Sequence, residues 1–174
     1  MRKVEVCPSN ENWPSMFEAE AKKLQSIFGQ EMIAIHHIGS TSVPGLQAKP
    51  VIDMMPVVKN IDDVDAFNQE MNKLGYECKG ENGISGRKYF QKGGDDRTHH
   101  VHIFQHGSDE INRHLAFRDY LRSHPEDRER YGTLKERLAQ QFPDDMISYM
   151  EGKDGLVKEI EAKALKIWDE QKGR

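Results

Sequence analysis

The first half of the chain alternates between helix-like and strand-like patterns of apolar residues. From 13 to 28, apolar side chains recur every three or four positions, which is the spacing of one helix face, and Gly29 ends the run. Apolar and β-branched runs of strand length follow at 32–38 and 51–58. Further elements are predicted as strands at 3–7, 76–79, 87–92 and 98–105 and as a second helix at 61–74.

After residue 108 the pattern is wholly helical. Helices are predicted over 109–123 and 125–142, and two more follow Pro143 and Lys153, the last ending near Gln171. Strands followed by helices are typical of the α+β class. We therefore predict a mixed sheet with flanking helices over 1–108 and a C-terminal helical segment over 109–174 that packs on it, within one domain overall.

Composition and charge argue against two classes of protein, nucleic-acid binders and membrane proteins. The chain has 25 basic and 29 acidic side chains, a formal charge of −4, so it lacks the surplus of lysine and arginine with which generic nucleic-acid binders neutralise phosphates. No apolar run approaches the ~20 residues that a membrane span needs, and the first residues lack a signal-peptide core. We expect a cytoplasmic protein without nucleic-acid or membrane partners.

The most informative segment joins two predicted strands and reads HIGSTSVPGLQAKPVID over 37–53. The first strand ends at Gly39-Ser40, a loop rich in backbone and hydroxyl donors follows, and the second strand presents Asp53. Such loops bind phosphate oxygens, and a carboxylate on a neighbouring strand can hold the metal ion that bridges them. The spacing fits equally well a structural turn in which Asp53 pairs with Lys49 or Arg87.

Two histidines on a later predicted strand are candidate metal ligands. His100 and His102 share one strand face at a separation of about 6.5–7 Å, so both rings can reach one ion. Imidazole favours Mn²⁺ or Zn²⁺ over Mg²⁺. The alternative is that both rings only form hydrogen bonds within the sheet.

Three segments of the chain resemble the GrpB family of bacterial proteins, and the resemblance extends over nearly the whole chain. These segments are 37–53, 100–104 and 115–125. That family is similar in turn to the nucleotidyltransferase superfamily, marked by Gly-Ser and later by two carboxylates one residue apart. Gly39, Ser40 and Asp53 match this pattern, whereas Met55 occupies the position of the second carboxylate. A two-metal site needs clustered carboxylates, so Met55 argues against that mechanism.

The resemblance implies a nucleotidyltransferase-like sheet and a metal-dependent nucleotidyltransferase acting on an unknown acceptor. It implies a nucleoside triphosphate or another phosphorylated small molecule as partner, and a divalent ion, Mg²⁺, Mn²⁺ or Zn²⁺, as cofactor. Asp53 is the expected catalytic residue and metal ligand, with His100 or His102 replacing the missing acidic ligand. The expected phosphate-binding residues are Gly39, Ser40, Thr41, Lys49, Arg87, Arg118 and Arg122.

Three alternatives remain open from the residues. Met55 favours a catalytically silent nucleotide- or phosphate-binding module, acting as a sensor or partner subunit. The alternation of His100, His102 and Phe104 resembles histidine-triad nucleotide hydrolases, a remote alternative because Phe104 stands where the third histidine belongs. Arg118 and Arg122 lie on one helical stripe, which also fits a solvated surface paired with Asp119.

Overall fold

The computed structural model describes residues 2–172 and divides into two compact units. The sheet unit contains Asn12–Ile38 and Val51–Ile111. The helical unit contains the residues up to Glu11, the segment Gly39–Pro50 and the residues from Asn112 onward. The Gly-Ser loop therefore belongs to the helical unit, whereas the two strands that it joins belong to the sheet unit.

The sheet unit is built on five strands in the order β1-β2-β5-β4-β3. These are β1 Met32–Ile38, β2 Ile52–Val58, β3 Tyr76–Cys78, β4 Lys88–Lys92 and β5 His99–Gln105. The β2–β5 pair is parallel and the other pairs are antiparallel. Helices α1 (Trp13–Phe28) and α2 (Asn68–Lys73) flank the strands along the chain. The predicted α+β class, with a mixed sheet and flanking helices, is confirmed.

Helix α1 packs against one face of this sheet. It buries Trp13, Leu24 and Phe28, and its Phe17 ring stacks on His37 of β1 with the ring centroids 4.8 Å apart. The next residue of β1, Ile38, pairs with Asp53 of β2. Because successive strand residues point to opposite faces, Asp53 lies on the sheet face opposite α1.

The helical unit is held by two apolar clusters among its three long helices. The helices are α3 Asp109–Ser123, of which the part from Asn112 lies in this unit, α4 Pro125–Gln141 and α5 Met146–Lys172. One cluster packs Leu46 of the Gly-Ser loop segment with Leu121, Tyr131 and Ile160. The loop that carries Ser40 is thus anchored in a core made by the helices. No helix among residues 2–172 is both long enough and apolar enough to span a bilayer.

Two predicted elements of the sheet region differ in the structure. The expected strand at 3–7 forms only an isolated bridge between Cys7 and Ala48, because the Val4 N–H donates instead to the Pro143 carbonyl. The expected helix over 61–74 is a 3₁₀ helix over Ile61–Phe67 before it becomes α2. The Asn60 side chain accepts from the N–H of Asp62 and so caps this tighter turn.

The prediction of two helices after Pro143 is wrong, because α5 runs unbroken for 27 residues. The predicted break near Lys153 is absent, and Gly152, the residue before it, lies at a close contact between helices. A Cβ atom at Gly152 would lie 2.6 Å from Cδ2 of Leu138 on α4. The glycine therefore lets α4 and α5 approach closely without ending the helix.

Candidate functional site

Asp53 on β2 lies between two histidines of β5. The parallel register pairs Asp53 with His100, and His102 follows two residues later on the same face. Asp53 Oδ1 is 3.0 Å from His102 Nε2 and 3.3 Å from His100 Nδ1. One ligand atom from each residue lies within 4.8 Å of the others, and the side chains are 26 %, 14 % and 13 % exposed for Asp53, His100 and His102. The three side chains can therefore reach one small ligand from the same face.

The donor atoms of this cluster suit a transition-metal ion in type, and the two separations around Asp53 Oδ1 are close to those of a metal site. In a tetrahedral site with bonds of about 2.0–2.1 Å, neighbouring ligand atoms are about 3.3–3.5 Å apart, close to the two separations around Asp53 Oδ1. The buried Nε2 of His100 has no hydrogen-bond partner among the described residues. One carboxylate and two imidazoles suit Zn²⁺ or Mn²⁺ better than Mg²⁺.

Arg87 reaches this cluster through His102. Its Nη1 lies 3.2 Å from His102 Nδ1, while Nε and Nη2 donate to the backbone carbonyls of Glu81 and Asn82 at 3.1 Å and 2.8 Å. The guanidinium carbon lies 4.8 Å from the ring centre of Tyr89, and Arg87 is 6 % exposed. The predicted alternative, in which Arg87 pairs with Asp53, is thus replaced by an indirect contact through the imidazole.

These contacts fix the charges of the cluster. Burial raises the pKa of Asp53, but hydrogen bonds and charge interactions from His100 and His102 outweigh it and hold that pKa far below its usual value. Burial lowers the pKa of His102, and the positive charge of Arg87 adds to the lowering while Asp53 opposes it. Near neutral pH, Asp53 is a carboxylate and His102 is a neutral imidazole.

The position of the second carboxylate is apolar and closed to solvent. Met55 lies on the Asp53 face of β2, pairs with His36 of β1 and has no exposed surface. Phe104, which stands where a third histidine would complete a histidine-triad pattern, is also fully buried. The cluster therefore offers one carboxylate, and neither residue adds a ligand.

The Gly-Ser loop forms a short 3₁₀ turn over Ser40–Ser42 within the helical unit. Gly39 enters it at φ 72°, a conformation that side chains with a Cβ rarely adopt. Ser40 Oγ accepts a hydrogen bond from Lys135 Nζ of α4 at 2.7 Å, and Thr41 is buried beside it in the chain. Sequence reasoning missed Lys135, which is only 2 % exposed. A lysine four residues after Tyr131 and three before Leu138, on the buried stripe of α4, was the available signal.

Lys135 belongs to a group of side chains that we call the tyrosine–lysine cluster, formed by Lys49, Tyr131, Lys135, Tyr149 and Lys153. Helices α4 and α5 each contribute a tyrosine followed four residues later by a lysine. The ammonium groups of Lys135, Lys153 and Lys49 lie 4.4, 5.4 and 5.6 Å from tyrosine ring centres. Lys153 Nζ is 3.5 Å from Tyr131 Oη, and the buried Tyr149 Oη has no partner among the described residues. Three ammonium groups gathered over two rings can attract phosphate oxygens.

The other predicted phosphate-binding residues contact groups of the protein. Arg118 Nε donates to Asp119 at 2.8 Å, which is the surface pairing that the sequence left open. Arg122 Nε donates to the Ser42 carbonyl at 3.0 Å and so supports the Gly-Ser turn. Of the predicted site residues, Asp53, Arg87, His100 and His102 therefore lie together in the sheet unit. Ser40 and Lys49 lie in the helical unit, where they contact the tyrosine–lysine cluster or belong to it.

Comparisons with known proteins match this chain to one family along most of its length. The model of the family described as GrpB protein matches residues 3–163. The UPF0157 protein YqkA of Bacillus subtilis is 52 % identical over 173 residues, covering 99 % of this chain and 50 % of that protein. The chain therefore spans half the length of this relative.

Two further matches connect the chain to a named protein and a solved fold. The glutamate-rich protein GrpB of Alkalihalophilus pseudofirmus is 36 % identical, over 87 % of this chain and 90 % of that one. The crystal structure of the conserved protein GrpB from Enterococcus faecalis is 48 % identical with a TM-score of 0.91, covering 94 % of this chain and 99 % of that one. A likeness to Cid1 in complex with the UTP analog UMPNPP, at 10 % identity and a TM-score of 0.45, is too weak to carry a conclusion. From the family model and these relatives, the chain belongs to the GrpB family.

Proposed function

We propose that this chain binds a phosphorylated small molecule, with a nucleoside triphosphate as the first candidate, together with one divalent metal ion. The observation that carries the proposal is the cluster of Asp53, His100 and His102, whose ligand atoms lie within 4.8 Å of one another. When bound, the ion supplies positive charge that attracts and orients phosphate oxygens. Asp53 supplies the negative ligand, and the two imidazoles supply nitrogen ligands.

Within the helical unit, the tyrosine–lysine cluster is a candidate phosphate site by itself. Lys135 and Ser40 place an ammonium group and a hydroxyl 2.7 Å apart, and both groups can donate to an anionic oxygen. Lys153 and Lys49 add positive charge near the same pair of tyrosines. We expect this cluster to bind phosphate or pyrophosphate.

The reaction class within this proposal is nucleotidyl transfer. An acceptor hydroxyl forms a bond to the α-phosphorus and gives its proton to solvent, while the bond from the α-phosphorus to the bridging oxygen breaks and pyrophosphate leaves. Asp53 is then the residue whose charge holds the ion and keeps the histidines in place.

A catalytically silent binding module is the second candidate, and Met55 favours it. The residue is fully buried at the position where a second carboxylate would help to hold a second ion. One ion can orient a nucleotide without activating an acceptor. A sensor or partner subunit would need no more than this.

Thermal unfolding with added ligand tests the binding proposal. A ligand at ~100 times its dissociation constant stabilises by about 2.7 kcal/mol, which for a chain of this size raises the Tm by about 5–10 °C. We expect this shift with Mn²⁺ or Zn²⁺, and a larger one when ATP, UTP or pyrophosphate is added. Asp53→Asn should remove the metal-dependent shift, and Lys135→Met should weaken the shift from pyrophosphate.

Matched controls keep this test specific. Asp65→Asn removes an exposed carboxylate of the sheet unit that pairs with Lys88, and Lys158→Met removes an exposed lysine of the helical unit that pairs with Asp154. Both controls should respond to ligands as the wild type does. Equal metal stabilisation of wild type and Asp53→Asn would show that Asp53 is not a ligand.

Pyrophosphate release separates the two candidates. The transferase should release pyrophosphate from a triphosphate when an acceptor is present, and Asp53→Asn should abolish the release. Nucleotide that binds but stays intact for hours across a broad set of acceptors supports the silent module instead.

A further inference from the structure

The contact between Arg87 and His102 determines which ring nitrogen of His102 carries the proton. A guanidinium group has only donors, so Arg87 Nη1 donates to His102 Nδ1 across 3.2 Å. Nδ1 is therefore unprotonated, and the neutral ring holds its proton on Nε2. That proton points to Asp53 Oδ1, 3.0 Å away. The three residues form a chain in which Arg87 donates to His102 and His102 donates to Asp53.

A metal ion on His102 requires the opposite tautomer. The ion binds an unprotonated Nε2, so the proton must lie on Nδ1. There the N–H group needs a hydrogen-bond acceptor. Histidines that bind metals almost always donate this second N–H to a carboxylate, a carbonyl or water. In this structure Arg87 Nη1 faces Nδ1, and a guanidinium group can only donate.

We propose that Arg87 is a positioning residue that holds His102 in the tautomer protonated at Nε2, so that the Arg87–His102 bond and a metal ion on His102 exclude each other. Loading of the metal site then requires Arg87 to leave His102. This inference rests on the proposed function for the identity of the ligand, but the tautomer follows from the protein alone.

The segment before β4 is built to hold Arg87 in this place. Two of its carbonyls, from Glu81 and Asn82, accept from the guanidinium, and the Glu81 carboxylate accepts from the Gly86 N–H at 2.6 Å. Asn82 adopts φ 48°, a left-handed conformation that is uncommon outside glycine. A buried cation that faces an imidazole and two carbonyls, at the end of such a turn, is positioned by several independent contacts.

Zinc binding measured by calorimetry tests the inference with Arg87→Gln. Glutamine removes the guanidinium donor that faces Nδ1, and its shorter side chain leaves room for water, which accepts from Nδ1–H in ordinary metal sites. Because such partners change metal affinity by about 10–100-fold, we expect Arg87→Gln to bind Zn²⁺ at least ~10-fold more tightly than the wild type.

Two control variants isolate this effect. Arg97→Gln removes one positive charge from an exposed turn of the same unit, where Arg97 contacts the Gly94 carbonyl, and it should bind Zn²⁺ like the wild type. Glu81→Gln loosens the turn but keeps Arg87, so it should fall well short of the gain in Arg87→Gln. An equal gain in Arg97→Gln would overturn the inference, because it would then be a general charge effect.

Nitrogen-15 NMR of the wild type supplies a readout that needs no variant. Without metal, His102 should be protonated on Nε2, with a coupling through the hydrogen bond from Arg87 to Nδ1. Saturation with Zn²⁺ should move the proton to Nδ1 and abolish that coupling. Metal-free His102 protonated on Nδ1 would overturn the inference.

The outcomes also separate this inference from the proposed function. If Zn²⁺ binds His102 with equal affinity in wild type and Arg87→Gln, the metal site stands and the role of Arg87 is wrong. If neither protein binds Zn²⁺ while the NMR spectrum shows the Nε2 tautomer, the metal part of the proposed function fails and so does the exclusion.

Discussion

Asp127 in the helical unit and Asp53 in the sheet unit are both held by hydrogen bonds, but their partners differ in kind. Asp127 accepts from Tyr120 Oη at 2.5 Å, Arg130 Nη1 at 2.8 Å and Lys163 Nζ at 3.3 Å. The Tyr120 hydrogen bond, together with those from Arg130 and Lys163, lowers the pKa of Asp127 to about 2 against the effect of burial. Two of its three partners are permanent cations.

Asp53 has imidazoles as its partners in place of fixed cations. An imidazole that donates to a carboxylate can lose that proton and bind a metal ion in its place, whereas arginine and charged lysine cannot. Both carboxylates have a lowered pKa, so the shift alone does not separate a structural carboxylate from a candidate site. The chemistry of the partners does.

The largest effect should come from placing a second carboxylate beside Asp53. Met55→Asp puts a charge at a fully buried position, and an uncompensated buried charge costs about 3–5 kcal/mol. Urea unfolding at pH 8 measures this loss. The control Met55→Leu should cost less than about 1.5 kcal/mol. Wild-type stability in Met55→Asp would show that this face of β2 accepts a second acidic ligand.

Replacing Asp127 and Asp53 with asparagine should cause different losses of stability. Asp127→Asn loses hydrogen bonds to charged groups and should cost about 2 kcal/mol, or about 4–8 °C in Tm. Asp53→Asn keeps an oxygen that still accepts from both imidazoles and should cost about 1 kcal/mol or less at pH 8. Equal losses would remove the distinction between the sites.

Acid should weaken the contribution of Asp127 in a defined range. Its folded-state pKa of about 2 lies below the ordinary value, so the unfolded chain binds the proton more readily. The stabilisation is complete above about pH 5 and is lost as the pH falls towards 2, with a slope of at most about 1.4 kcal/mol per pH unit. The stability difference between wild type and Asp127→Asn should shrink over this range. A constant difference would contradict the lowered pKa.

The smallest effect concerns the exposed cation of the Asp127 group. Lys163 is 46 % exposed and lies 3.3 Å from both Asp127 and Glu159. A double-mutant cycle of Lys163→Met and Asp127→Asn should give a coupling of about 0.2–1 kcal/mol. A coupling near 3 kcal/mol would mean that Lys163 behaves as a buried partner.

Sequence patterns predicted the elements whose signal is local. The strands predicted at 32–38 and 51–58 follow from short apolar runs, and the shared face of His100 and His102 follows from the two-residue repeat of a strand. The adjacency that brings them to Asp53 depends on β2 and β5 being neighbours in the sheet. Their functional roles, and those of the phosphate-binding residues, stay predictions.

Features that depend on long-range packing could not be predicted from the sequence. The single helix over Met146–Lys172 was not predicted, and Gly152 within it leaves room for the close approach of Leu138. The burial of Lys135 was not predicted, because a charged residue is expected on the exposed face of α4. The contact between Arg87 and His102 joins a turn to a strand 15 residues later, and no spacing rule predicts it.

The parallel pairing of β2 with β5 also has a consequence for how this protein acquires its shape. The two strands are joined by residues 59–98, so the chain must close a long loop, and non-local pairings form slowly. A slip of one residue in this pairing would turn His100 and His102 to the other side of the sheet and offer Val101 to Asp53. The hydrogen bond from His102 to Asp53 should therefore form late in refolding, and its appearance marks the moment at which the correct alignment of the sheet has been selected.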